Sequence, residues 1–141
     1  MLRLLVCAFV ACCLLAAVGA PEAAAQKKKV EIQKKTWNGS VDDEKAAKPD
    51  CITSAKGLEA VWKSFKIEGD APKVDFTKDI VVGVYSVGSK LNLAGATLDD
   101  KGDLTVLGLG TRDIRPGFRF VLGVVSRDGV KTVNKKELPK E

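Results

Sequence analysis

The uncharged stretch at residues 80–87 constrains the fold of this chain more than any other segment. Its sequence is Ile-Val-Val-Gly-Val-Tyr-Ser-Val, with the charged Asp79 before it and Gly88 after it. A run this short, this apolar and this rich in β-branched side chains is typical of a strand buried on both faces. Other elements must therefore cover each face of this central strand.

The clearest periodic pattern in the sequence predicts one amphipathic helix before the central strand. Its apolar side chains recur at i, i+3, i+4 and i+7, and they are Leu58, Val61, Trp62 and Phe65. Thr53 or Ser54 can cap the start of this helix. A glycine and a proline follow Lys66 closely, so the helix should end near that residue. We expect the apolar face to cover one side of the central strand.

Five further segments are predicted to be strands, at residues 30–37, 91–98, 104–109, 118–126 and 130–133. Turn residues at Asn38-Gly39, at residues 99–102 and at Asp128-Gly129 indicate consecutive hairpins. We therefore predict an α+β fold with a single curved antiparallel sheet of about five to six strands and one helix packed on it.

The predicted boundaries divide the mature chain into three parts. Residues 26–49 form an N-terminal edge strand and a polar connector, and lysines at positions 27–29 suit such an edge because they discourage pairing with other molecules. Residues 50–138 form the compact α+β domain, and residues 139–141 form a charged tail.

Residues 1–25 have the layout of a secretory signal peptide. Arg3 supplies a positive charge, residues 4–20 form an uncharged apolar run, and Ala23-Ala24-Ala25 provides a small-residue cleavage site. Cleavage after Ala25 predicts a secreted or periplasmic protein without a stable membrane span. Two alternatives stay open: the apolar run is retained as a membrane anchor, or the chain is lipid-anchored at Cys12.

Three of the four cysteines lie inside the predicted signal peptide, so the mature domain retains Cys51 and no internal disulfide. We expect Cys51 to be a buried thiol, with pairing between two chains as the alternative. The formal net charge is +5, which favours acidic surfaces in general. We do not expect a nucleic-acid site, because Trp37 is the sole aromatic residue near the basic run at residues 27–29.

The sequence contains no histidine, and this absence excludes several kinds of active site. Ser-His-Asp and Cys-His arrangements are impossible, and transition-metal sites normally depend on histidine and cysteine. No serine of the mature chain has a lysine three residues later, as serine–lysine catalysis would require. Gly108-Leu109-Gly110 resembles the start of a dinucleotide fingerprint, but Asp113 occupies the position of the third glycine. We predict no catalytic residue, no cofactor and no metal.

Two acidic clusters and two arginines are the remaining candidates for a site. The clusters are Asp42, Asp43 and Glu44 in the connector and Asp99, Asp100 and Asp103 at a hairpin tip. Both are interpreted as solvated turns, since the spacing of an EF-hand is absent. Arg112 and Arg115 can clasp an acidic group of a partner, because the guanidinium fork suits carboxylates. Pairing with Asp113 at the loop surface is the commoner role for such arginines, and partner binding is the other role considered.

The residues that carry a family resemblance are Trp62, residues 74–78 (Val-Asp-Phe-Thr-Lys), the central strand and Gly88. Over roughly residues 52–98 the chain resembles the C-terminal domain of PrcB-type accessory subunits of secreted protease complexes. That family usually has a Gly-Gly-Tyr-like stretch after the strand, whereas residues 93–96 here are Leu-Ala-Gly-Ala. The resemblance implies a non-catalytic accessory or binding domain.

Two functions follow as expectations from these observations. The first is an exported, non-catalytic domain that binds or assists another exported protein of the cell envelope. Its edge strands can accept a partner strand, with Arg112 and Arg115 as partner-binding residues in the loop beside them. The alternative is a small carboxylate-dependent enzyme that acts on an envelope polymer and uses Asp75 or Asp113 as its base.

Overall fold

The computed structural model describes residues 26–140, and the predicted signal peptide lies outside the described residues. The elements, in chain order, are β1 (Lys28–Val30), β2 (Ile32–Val41), β3 (Cys51–Ile52), α1 (Ala55–Ser64), β4 (Asp79–Ser86), β5 (Leu91–Leu98), β6 (Asp103–Gly110), β7 (Phe118–Ser126), β8 (Thr132–Val133) and β9 (Lys136–Glu137). The described chain is mostly β-sheet with one helix, which confirms the α+β class.

The strands form two sheets, so the prediction of a single sheet is wrong. A four-stranded sheet has the order β2-β7-β4-β3, and a five-stranded sheet has the order β1-β5-β6-β8-β9. The central strand β4 and its neighbour β7 are apolar on both faces, but the single helix of the described chain can cover only one face of their sheet. The β5–β6 hairpin folds over the other face instead of extending the same sheet.

Two cores therefore lie on either side of the four-stranded sheet, and the side chains of β4 alternate between them. Val81 faces the helix-side core with Leu58 and Trp62. Ile80 and Val82 face the sheet-side core, which the five-stranded outer sheet closes. The prediction that the central strand is buried on both faces is confirmed for most of its length, because residues 80–84 are all buried.

Helix α1 begins and ends at residues that satisfy its terminal backbone groups. The Ser54 hydroxyl accepts a hydrogen bond from the Gly57 N–H at 3.0 Å, which settles the choice of cap. At the other end the Lys66 N–H donates to Lys63 O and the Ile67 N–H donates to Trp62 O, both at 3.1 Å. This pair of bonds is a Schellman motif, and it places Lys66 at a positive φ of 53°.

Strand β2 is longer than its sequence pattern predicted, and the turn expected at Asn38-Gly39 is wrong. The strand continues to Val41 and pairs with β7 along this region. Gly39 lies opposite Phe120, and a Cβ at position 39 would be 2.9 Å from the aromatic ring. The glycine therefore makes room for a core phenylalanine, whereas the sequence pattern alone was typical of a turn.

Trp37 and Cys51 both have roles in the cores. The Trp37 ring meets the Trp62 ring edge-on, with centroids 5.7 Å apart, so this tryptophan packs on the helix-side core. Cys51 is buried in the sheet-side core and forms no disulfide with the described residues. Within those residues no helix has the length and apolar character needed to cross a bilayer.

The chain after β7 does not return as the predicted hairpin partner of that strand. Asp128 and Gly129 do form a turn, but β8 crosses to the outer sheet and runs parallel to β6. The Gly102 carbonyl accepts hydrogen bonds from the N–H groups of Lys131 and Thr132, at 2.8 and 3.2 Å. These bonds hold the crossing segment against the β5–β6 turn.

Candidate partner-binding site at the open end of the outer sheet

One end of the outer sheet is only two strands wide. Strand β1 pairs with β5 only at residues 96–98, and β8 pairs with β6 only at Asp103 and Leu104. Strands β5 and β6 continue together to Leu91 and Gly110, beyond both neighbours. We call this part of the hairpin, residues 91–94 and 106–110, the open end.

The outward edge of β6 carries unpaired backbone groups along the open end. The Thr111 N–H donates to Lys90 O at 3.0 Å across the β5–β6 ladder. Because successive residues of a strand bond to opposite sides, the backbone groups of Gly110 and Gly108 face away from β5. Among the described residues these groups have no hydrogen-bonded partner strand. We refer to them, with the Val106 carbonyl, as the β6 edge.

Asn134 marks the end of the β6 edge that lies nearest to β8. Its Oδ1 accepts a hydrogen bond from the Val106 N–H at 2.9 Å, and its own N–H donates to Leu104 O at 2.9 Å. This side chain therefore closes the ladder where β8 ends. Beyond it, the edge is open over about five residues, a length typical of one added strand.

A groove of about 390 Å³ lies between the β6 edge and strand β4. The absence of side chains at the two glycines shapes this groove. A Cβ on Gly108 would be 3.0 Å from the Val84 Cβ, and one on Gly110 would be 2.7 Å from the Ser86 Oγ. The glycines thus let the two sheets approach closely while they leave the edge of β6 bare. Polar groups of Asp50 and Asn134 also line the groove.

The solvent-facing side of β6 is apolar where the edge is open. Leu107 is 56% exposed and Leu109 is 61% exposed, and both alternate with inward-facing residues along the strand. No charged residue occurs from Leu104 to Gly110. Exposed leucines beside an unpaired edge provide both the hydrogen bonds and the apolar contacts that an added strand uses.

The loop after β6 is fixed to the loop before β5 by Asp113. Its Oδ1 accepts hydrogen bonds from the Ser89 N–H at 3.0 Å and from the Ser89 hydroxyl at 3.1 Å. The Thr111 Oγ1 accepts from the Lys90 N–H at 3.1 Å. Hydrogen bonds from Thr111, then from Ser89 and Arg115, hold the pKa of the Asp113 carboxyl far below its usual range. The loop is therefore an ordered extension of the open end.

The two arginines predicted to bind a partner have different environments. The Arg115 Nε donates to Asp113 Oδ2 at 3.2 Å, which is the loop-surface pairing that the sequence favoured. Arg112 is exposed and has no hydrogen bond or ion pair with the part of the chain that the structure describes. Arg112 therefore remains available to an acidic partner, two residues beyond the β6 edge.

Two of the carboxylates considered as bases or as members of the acidic clusters, Asp75 and Asp99, accept hydrogen bonds within turns. Asp75 accepts hydrogen bonds from the hydroxyl and the N–H of Thr77, and these bonds lower the pKa of its carboxyl. Asp99 accepts from the N–H groups of Asp103 and Lys101, and the pKa of its carboxyl is likewise lowered. Within residues 26–140, no group of three His, Cys, Asp or Glu side chains is arranged to hold a metal ion.

The sequence predicted partner binding at an edge strand beside the loop of Arg112, but it did not indicate that β6 is such an edge or that its leucines are exposed. The Gly108-Leu109-Gly110 segment was considered only as a nucleotide fingerprint, although alternating glycines in an uncharged strand also indicate a bare edge. Comparisons with protein-family models, curated proteins and solved structures found no match. The geometry of the open end is therefore the basis on which a function can be proposed.

Proposed function

We propose that this protein is an exported, non-catalytic domain of the cell envelope that binds another exported protein through the open end of its outer sheet. The observation that carries this proposal is the β6 edge, an unpaired and uncharged strand edge flanked by exposed leucines. Natural sheets protect such edges unless they are used, because they pair readily with other chains.

Two other strand edges, that of β1 in the outer sheet and that of β3 in the inner sheet, have the protection that the β6 edge lacks. Strand β1 presents exposed lysines at positions 28 and 29. Strand β3 is only two residues long, and the Lys136–Asp50 ion pair lies beside it. The contrast with these two protected edges favours a functional interpretation of the bare glycine edge.

The environments of the candidate bases disfavour the enzymatic alternative. Asp75 and Asp113 are the two carboxylates proposed for that role, and hydrogen bonds lower the pKa of both. A lowered pKa makes a carboxylate a weaker base at neutral pH, whereas general bases usually have a raised pKa. Asp75 instead stabilises a turn, and Asp113 holds two loops together.

Export and accessory function belong to the same proposal. The signal peptide predicted at residues 1–25 and the resemblance to PrcB-type domains support a role in which this domain assists a second exported protein. The open end supplies the surface for that role, and Arg112 supplies a charge beside it.

Affinity capture from the envelope fraction of the native host tests the proposed function. The bait is the mature chain, and one variant carries Leu107→Ser and Leu109→Ser with Arg112→Ala. Both leucines are exposed, so the variant should fold normally. We expect wild-type bait to retain a specific envelope protein and the triple variant to lose most of it.

The matched control carries Lys56→Ala and Lys63→Ala on the exposed face of α1. We expect this control to capture the same protein as the wild type. Equal capture by all three baits would contradict binding through the open end. Turnover of an envelope polymer that is lost in Asp75→Asn or Asp113→Asn, with stability unchanged, would support the enzymatic alternative instead.

A further inference from the structure

We propose that the β6 edge accepts an extended acidic segment of the partner as an added strand. This inference rests on the proposed function and specifies the chemistry of its partner. The incoming strand would lie beside residues 106–110, in line with β8 and over the groove between the two sheets.

The backbone of the β6 edge defines the shape of the bound segment. The N–H and C=O groups of Gly108 and Gly110 and the Val106 carbonyl form a row of alternating donors and acceptors. Only an extended backbone presents its own donors and acceptors at the matching spacing. The site therefore selects a strand rather than a helix or a small molecule.

The two faces of the β6 strand define the side chains of the bound segment. Side chains on its outer face would lie beside Leu107 and Leu109, so apolar or β-branched residues are favoured at alternate positions. Side chains on its inner face would point toward the groove, whose lining includes Asp50 and Asn134. The preferred segment therefore alternates apolar and polar residues.

Charges at the ends of the β6 edge favour an acidic segment. Arg112 lies two residues beyond Gly110, and Lys135 follows Asn134 at the opposite end. Both side chains are exposed. The nearby carboxylates of Asp50 and Asp113 are already paired with Lys136 and Arg115. The Asp103 carboxylate accepts a hydrogen bond from the Lys135 N–H, but neither the Arg112 nor the Lys135 side chain forms an ion pair among the described residues. Acidic residues near the ends of the bound strand would therefore meet two cations that are not in ion pairs.

The same charges disfavour pairing of two copies of this chain. If two copies paired symmetrically through their β6 edges, the two β6 strands would run antiparallel. With Gly108 at the centre of the pair, residue 110 of one copy would lie opposite residue 106 of the other. Arg112 of one copy would then approach the end that carries Lys135 in the other. Like charges at both ends destabilise this arrangement, so a partner of opposite charge fits better.

The test uses the purified mature chain, labelled with ¹⁵N, and two synthetic heptapeptides. One peptide alternates valine and glutamate, and the other alternates valine and lysine. We expect the acidic peptide to shift the amide proton resonances of Gly108 and Gly110 downfield, because new hydrogen bonds form there. The basic peptide should bind at least about tenfold more weakly at low salt.

Two N-methylated forms of the acidic peptide test strand addition directly. Each form carries methyl groups on alternate amides, and only one set of amides faces the β6 edge. Methylation of that set should weaken binding about tenfold or more, since two or more hydrogen bonds are lost. Methylation of the other set should leave the affinity within about twofold of the parent peptide.

A pair of charge variants completes the experiment. Arg112→Gln with Lys135→Asn should weaken binding of the acidic peptide about threefold to tenfold. Asparagine is chosen because position 135 has a positive φ of 65°. The control Lys56→Gln with Lys63→Gln removes the same charge from α1 and should leave the affinity unchanged.

Several results would overturn this inference. Equal binding of the acidic and basic peptides, equal effects of the two methylated forms, or a self-associated dimer in sedimentation would each contradict it. If neither peptide binds while the affinity capture still depends on Leu107 and Leu109, the proposed function stands and the acidic strand is wrong. If neither peptide binds and no envelope protein is captured, both proposals fail.

Discussion

At the scale of single residues, Lys66 is strained by the motif that ends α1. Its φ of 53° belongs to the left-handed region, which favours glycine. We expect Lys66→Gly to raise the free energy of unfolding by about 0.5–1 kcal/mol, measured by urea denaturation.

Lys63→Gly is the matched control for this substitution, because residue 63 lies inside the helix. Glycine there should lower the free energy of unfolding by about 1 kcal/mol. A loss of stability in both variants would contradict the Schellman geometry at the end of α1.

Asp113 is the residue whose ionisation orders the loop beyond the open end. Its folded pKa lies below the unfolded value of about 3.9. The stabilisation from its carboxylate is therefore present above about pH 4 and is lost as the pH falls through the folded pKa. A titration followed by the ¹³C shift of this carboxyl should have its midpoint well below pH 3.9.

Thr111→Val is the informative comparison for the Asp113 titration. It preserves the shape of the side chain but removes the hydroxyl that contributes most to the lowered pKa. The midpoint should move toward the ordinary value of about 3.9. A wild-type midpoint at or above that value would contradict the network around Asp113.

At the scale of elements, the packing of α1 on the four-stranded sheet gives the clearest stability prediction. Trp62 is 6% exposed and meets Trp37 on the sheet. Trp62→Ala should lower the free energy of unfolding by roughly 3–5 kcal/mol, because it leaves a large cavity. Lys63→Ala, on the exposed side of the same helix, should change it by less than about 0.5 kcal/mol. Equal losses in urea denaturation would contradict this packing.

The local elements were predictable because their residues carry periodic patterns. A helix cap at Thr53 or Ser54, the helix face with Trp62, and the bounds of Leu91–Leu98 and Phe118–Ser126 all follow from such patterns. The arrangement of these elements could not be predicted from the same patterns, because alternation shows that one face of a strand is buried but does not show which element covers that face. The second sheet and the parallel β8 depend on long-range contacts that no local pattern contains.

The candidate site was predictable only in part, for a related reason. Arg112 could be identified because an exposed loop arginine is visible in the sequence. The β6 edge could not be identified, since whether Gly108 and Gly110 are paired depends on how far β8 extends beside β6. An unpaired edge is a property of the strand order, which the sequence did not indicate, and the number of sheets was predicted incorrectly.

At the scale of the whole molecule, the proposed role requires export. We expect the protein recovered from its native host to have the intact mass of a chain that begins at Gln26. Mass spectrometry of that material decides the point. A species that begins at Met1, or a lipidated species that begins at Cys12, would contradict cleavage after Ala25.

The most direct measurement of the central claim is site-specific photo-crosslinking in the native host. Leu109 is replaced by a photo-crosslinking amino acid in one strain, and Lys63 is replaced in a second strain as the control on α1. We expect that one envelope protein is cross-linked from position 109 and that the same protein is not cross-linked from position 63. Cross-linking of the same protein from both positions, or from position 63 alone, would contradict binding at the open end.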